Sequence, residues 1–145
     1  MVHDLYQEII LDHSKRPRNC HSMADATRQA DGYNPLCGDK LKLFVKVEND
    51  IVVDVSFVGS GCAISTASAS LMTESLKGKT REEALKLLEK FHELLTTDNA
   101  VSQDLGKLVV FCGVRDYPAR VKCATLAWHT LQSALHNQKN PVSTE

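Results

Sequence analysis

The chain has 145 residues, with 17 Lys and Arg against 18 Asp and Glu, a formal charge of −1. That length suits a single domain, and 43% hydrophobic residues can form a real core, which excludes a disordered tail. The balanced charge argues against a protein that lives on nucleic acid or anionic lipid, and no run approaches the apolar length of a membrane span.

The opening residues, Met1 to Tyr6, lack a basic region followed by an apolar stretch, so a cytoplasmic location is expected. Five cysteines are present: Cys20, Cys37, Cys62, Cys112 and Cys123. An odd number rules out a complete set of internal disulfides. In a reducing compartment, thiols are buried fillers, metal ligands or reactive groups.

In chain order, Leu5 and Ile9, with Tyr6 and Ile10 beside them, give an amphipathic helix over 3–14, which Pro17 ends. Residues 15–24 read as a polar loop. Leu41, Leu43, Val45 and Val47 alternate with Lys42, Phe44 and Lys46, and Ile51, Val53, Val55 and Phe57 alternate again. Asn49-Asp50 between them predicts a β-hairpin, because both residue types tolerate positive φ. A strand around 26–31 is expected to pair with it. Gly59-Ser60-Gly61 breaks the sheet, and an Ala- and Ser-rich helix over 62–77 follows, with Ile64, Ala67, Leu71 and Leu76 as its apolar stripe. Thr80 and Glu83 have capping-box spacing and open a helix over 81–96. Residues 97–116 are mixed, with an apolar run at 108–111. Pro118 suits the first turn of a last helix that buries Ala124, Ala127, Trp128, Leu131 and Leu135. Residues 137–145 are expected to fray. The order predicts an α+β domain: a small antiparallel sheet of about three strands packed against several helices.

Three segments can carry chemistry. Asn34-Pro35-Leu36-Cys37-Gly38-Asp39 presents a thiol and a carboxylate two residues apart. Deprotonated, both are zinc or iron ligands; alternatively this is a turn with a buried Cys37 and a capping Asp39. In Gly59-Ser60-Gly61-Cys62-Ala63-Ile64-Ser65 the thiol sits at a helix N-terminus, where the dipole and free N–H groups favour a thiolate. The alternative is a small residue that permits close packing. In Ala119-Arg120-Val121-Lys122-Cys123 the thiol is flanked by two cations that would stabilise a thiolate or an anionic substrate, or it is a core cysteine beside solvated charges. The gaps of 24 and 60 residues between Cys37, Cys62 and Cys123 are not zinc-finger spacings, so a site built from them must be assembled by the fold. Three thiolates and Asp39 would give four ligands and a charge of −4, leaving −2 on Zn²⁺, which Arg120 or Lys122 would offset.

These segments, in this order, resemble the iron–sulfur cluster assembly proteins that include IscU, the amino-terminal part of NifU, and SufU. The likeness runs from about residue 3 to 136. Lys122 stands where IscU-type members have a His before the third Cys. Residues 117–122 lack the Pro-Pro chaperone-recognition stretch, and the segment around 97–116 is long. All three features are similar to the zinc-binding SufU branch.

That resemblance implies a zinc site of Cys37, Asp39, Cys62 and Cys123. It implies a partner, a PLP-dependent, SufS-like cysteine desulfurase, whose persulfide sulfur this protein accepts on Cys37. The sulfur then passes to a downstream cluster assembly scaffold or to apo iron–sulfur proteins. Cys37 is the expected acceptor because its Pro- and Gly-flanked loop moves more easily than a helix. Arg120 and Lys122, by position, would stabilise charge. Two alternatives stand beside this reading. The same site could hold iron or a transient [2Fe–2S] cluster as a scaffold, or the domain could be a structural zinc module. Cys20 and Cys112 match no family position. His3, His13, His21, His92 and His136 read as solvated or helix-facing, and His129, six residues after Cys123, does not replace the absent histidine ligand.

Overall fold

The computed structural model describes residues 2–35, 37–96, 105–136 and 142–143. The chain runs α1 (Val2–Lys15), β1 (Arg28–Asn34), β2 (Asp39–Glu48), β3 (Ile51–Ser60), α2 (Ala63–Leu76), α3 (Arg81–Thr96), a 3₁₀ helix (Gly106–Asp116), α4 (Pro118–Leu135) and β4 (Val142–Ser143). The sheet order is β3-β2-β1-β4. Strands β1, β2 and β3 are antiparallel, as expected, and β4 adds a parallel pair to β1. Most of 137–145 lies outside the described residues, as does 97–104. Fraying was expected at 142–143, but these residues pair with Gly32 and Tyr33, because the outer edge of β1 offers unpaired backbone groups.

The β2–β3 hairpin turns at Asn49 and Asp50, both at positive φ (51° and 65°), which suits a two-residue turn matched to strand twist. The alternation predicted for β3 changes phase. Lys46 pairs with Asp54 and Val47 with Val52, so Val53 is an extra residue at a bulge. Val52, Val55 and Phe57 are therefore buried, while Val53 points outward and is 39% exposed.

Helix α4 lies across β1 and β2, and α2 packs on both α4 and β3. Helix α1 covers α2, and α3 and the 3₁₀ helix flank α4. The central position of α2 buries far more than the predicted stripe, including Ser65, Ser68, Ser70 and Thr73. The hydroxyls of Ser68, Ser70 and Thr73 make that burial tolerable by finding partners. Ser68 Oγ donates to Ala124 O at 2.5 Å and accepts from Trp128 Nε1 at 3.2 Å, which ties α2 to α4. Phe91 stacks on Trp128 (centroids 4.6 Å apart) and meets Phe111 edge-on (5.7 Å), joining α3, α4 and the 3₁₀ helix in one core. No described helix is long and apolar enough to cross a membrane.

Candidate metal centre

Three chain segments meet at one end of the sheet. The β1–β2 connection carries Cys37, and the first residue of β2 is Asp39. Gly38 closes this connection at φ +73°, a left-handed conformation that side chains rarely adopt. Cys62 is the N-cap of α2, its thiol accepting from Ser65 N at 3.4 Å. Cys123 lies in the second turn of α4, which Pro118 starts at its first positions.

The sulfurs of Cys37 and Cys123 and a carboxylate oxygen of Asp39 lie within 4.8 Å of one another. The two sulfurs are 3.2 Å apart although 86 residues separate them in sequence. Cys37 is exposed, Asp39 is buried, and Cys123 is buried. Asp39 Oδ1 accepts from Cys62 N at 2.8 Å, so the carboxylate links β2 to the start of α2. Gly61 makes this approach possible: a Cβ there would sit 2.5 Å from Asp39 Oδ1. Cys62 is outside the tight group of three, but its thiol lines the same cavity as Cys37 and Cys123.

Burial, first, and then hydrogen bonds to Cys37 and Cys62 push the Cys123 thiol well above the usual cysteine range. A buried thiol beside two more thiols and a carboxylate resists ionising alone, and a cation reverses that balance by favouring thiolates. The donor set fits a zinc or iron ion: the soft sulfurs of Cys37 and Cys123 and one carboxylate within short reach, with Cys62 on the same cavity.

The cavity, about 750 Å³, is lined by Tyr6, Ile10 and Leu11 of α1, Ile64 of α2, and Tyr117 and Arg120 at the start of α4, with the thiols among them. Its wall is mostly apolar. Arg120 is exposed and its guanidinium lies 4.6 Å from the Tyr117 ring. Lys122 is exposed and does not line the cavity.

The structure thus brings Cys37, Asp39 and Cys123 together, places Cys62 beside them, and separates Arg120 from Lys122. The buried turn considered for Cys37 is not what forms, since its side chain is exposed while Asp39 is buried. Cys20 is exposed, and Cys112 packs against the core. His129 faces His92 of α3, their ring centroids 6.3 Å apart. His13 is buried rather than solvated. Asn34, whose role the sequence left unassigned, is fully buried against both Asp39 and Cys123.

Residues 5–124 match the family model described as the NifU-like N terminal domain. The chain belongs to this family of iron–sulfur cluster assembly proteins. It is 41% identical over 140 residues to "Iron-sulfur cluster assembly scaffold protein IscU" of Streptococcus pyogenes serotype M1, covering 96% of this chain and 87% of that one. It is 42% identical over 136 residues to "Zinc-dependent sulfurtransferase SufU" of Bacillus subtilis, covering 93% and 92%. Among solved structures, a cluster assembly scaffold protein for the SUF system from Fervidobacterium islandicum superposes with a TM-score of 0.86 at 38% identity, covering 92% of this chain and 98% of that one.

Proposed function

We propose that this protein is a zinc-dependent sulfur acceptor, which takes persulfide sulfur from a cysteine desulfurase and passes it towards cluster assembly. The supporting observation is the contrast within one site. Cys37 is exposed on a short loop, whereas Asp39 and Cys123 are buried and fixed by neighbouring elements. Such a site can release one ligand and keep the others.

Cys37, Asp39, Cys62 and Cys123 would hold the zinc, which would supply charge to keep the thiols ionised at neutral pH. In the transfer step, the Cys37 thiolate attacks the terminal sulfur of the donor's cysteine persulfide. A new S–S bond forms on Cys37, the donor's S–S bond breaks, and its electron pair leaves with the donor cysteine as thiolate. No external oxidant or reductant is needed. The cavity beside Cys37 has a mostly apolar wall, and Arg120 among its lining residues offers a cation to the anionic donor group. At this size the cavity admits a side chain or a short loop of the donor.

A second reading has support in the names of relatives such as the IscU of Streptococcus pyogenes: a scaffold on which a [2Fe–2S] cluster is the cargo. Alanine release from cysteine by a desulfurase of the same cell separates the two. Zinc-loaded protein should raise turnover severalfold, and a folded Cys37→Ala variant should not. If turnover is unmoved by the zinc-loaded protein, the acceptor reading is wrong, and anaerobic loading with iron and sulfide tests the scaffold.

A further inference from the structure

Asn34 ends β1 and sits directly opposite Asp39 in the β1–β2 register. Its side chain is fully buried. The amide nitrogen Nδ2 donates to Asp39 Oδ2 at 3.3 Å and to Cys123 Sγ at 3.4 Å. Its oxygen, Oδ1, finds no partner among the described residues. The reverse orientation would set that oxygen against a carboxylate and a sulfur, so the two acceptors hold the amide in place even at the expense of an orphaned buried oxygen.

One amide therefore ties two of the candidate ligands, and Asp39 is tied a second time by the Cys62 backbone. Cys37 has no such tether among the described residues, where its partner is the Cys123 sulfur itself. An N–H donated to a thiolate or carboxylate neutralises part of its charge and fixes its direction, as the outer partners of metal ligands do. We propose that Asn34 is a positioning residue that holds Asp39 and Cys123 on the metal, so that Cys37 is the ligand that leaves. This assignment rests on the zinc-site reading above, but not on the sulfur-acceptor role.

Two variants grade the effect. Asn34→Ser keeps one short donor, and Asn34→Ala keeps none. Zinc affinity, measured by competition with a chromophoric chelator, should fall about 10–100-fold in Asn34→Ala, with Asn34→Ser between the wild type and Asn34→Ala. In zinc-loaded protein given limiting iodoacetamide, peptide mapping should show Cys37 modified well before Cys123. That preference should shrink severalfold in Asn34→Ala. In the cobalt-substituted protein, the thiolate-to-cobalt absorption should shift in the same order, since a merely structural residue would leave it unmoved wherever the fold survives.

Near-ultraviolet dichroism of Trp128 reports whether each variant is folded, and Asn34→Ser is the smallest disturbance. Folded variants with unchanged affinity, Cys37 preference and cobalt spectrum overturn the proposal. If these readouts change as stated while the wild type fails to stimulate a desulfurase, the positioning role stands and the sulfur-acceptor role falls.

Discussion

His13 is a buried titratable side chain with a definite hydrogen-bond pattern. Its Nδ1 lies 2.7 Å from Ser70 Oγ, which already accepts the Arg18 backbone N–H at 2.8 Å. On the other side of the ring, Nε2 lies 3.6 Å from Glu74 Oε1. Burial, first, and then Arg18 and Lys107 lower the His13 pKa below the ordinary 6.5, while Glu74 and Asp12 oppose this. A histidine lowered in the folded state binds fewer protons there than in the unfolded chain. Its contribution is therefore complete above about pH 6.5 and is lost as the pH falls through the folded value. Denaturant titrations between pH 7.5 and 5 should show stability falling in the acid range. His13→Gln should flatten that fall, and an equal slope in both proteins would refute the assignment. His13→Ala, which removes the ring from its contact with Ser70 and leaves a buried gap, should cost about 1–3 kcal/mol at pH 7.5.

Among the elements, α3 shows two kinds of support of different size. Thr80 Oγ1 accepts from Glu83 N at 3.1 Å, and Glu83 Oε1 accepts from Thr80 N at 3.0 Å, the reciprocal cap its spacing predicted. The core side of the same helix buries Phe91 between Trp128 and Phe111. Thr80→Ala should cost about 1 kcal/mol, and Phe91→Ala about 3–5 kcal/mol because it leaves a cavity between three elements. Urea midpoints at constant slope would measure both, and a cap variant as damaging as the core variant would show that packing does not dominate here. The contrast also explains what the sequence could convey. Caps, turns and helix periods are local, so Thr80, Asn49-Asp50 and the last helix were legible. The bulge at Val53 was not, because an extra residue is visible only once β2 is laid beside it. Nor was the all-round burial of α2, since Ser and Thr look solvated until their partners on α1 and α4 are known. At the candidate site, the motifs alone pointed to Cys37, Asp39 and Cys123, whose ligand atoms the fold groups, whereas the tie from Asn34 to Cys123 spans 89 residues and depends on α4 crossing β1.

For the molecule as a whole, a metal held by Cys37, Asp39 and Cys123 would act as a cross-link between the β1–β2 connection, the start of β2 and the start of α4. A ligand bound by the folded chain alone stabilises it by about 4 kcal/mol when its free concentration is a thousand times its dissociation constant. For a domain near 150 residues, each kcal/mol moves the melting temperature by about 2–4 °C. Zinc-loaded protein should then melt about 8–16 °C above chelator-treated protein under that excess. Cys123→Ser removes the buried sulfur shared by Asn34 and Cys37 and should abolish most of the difference. Cys20→Ser, at an exposed thiol outside the site, should leave it intact. Calorimetry with parallel zinc analysis checks both, and an equal zinc-dependent shift in wild type and Cys123→Ser would place the stabilising metal elsewhere in the fold.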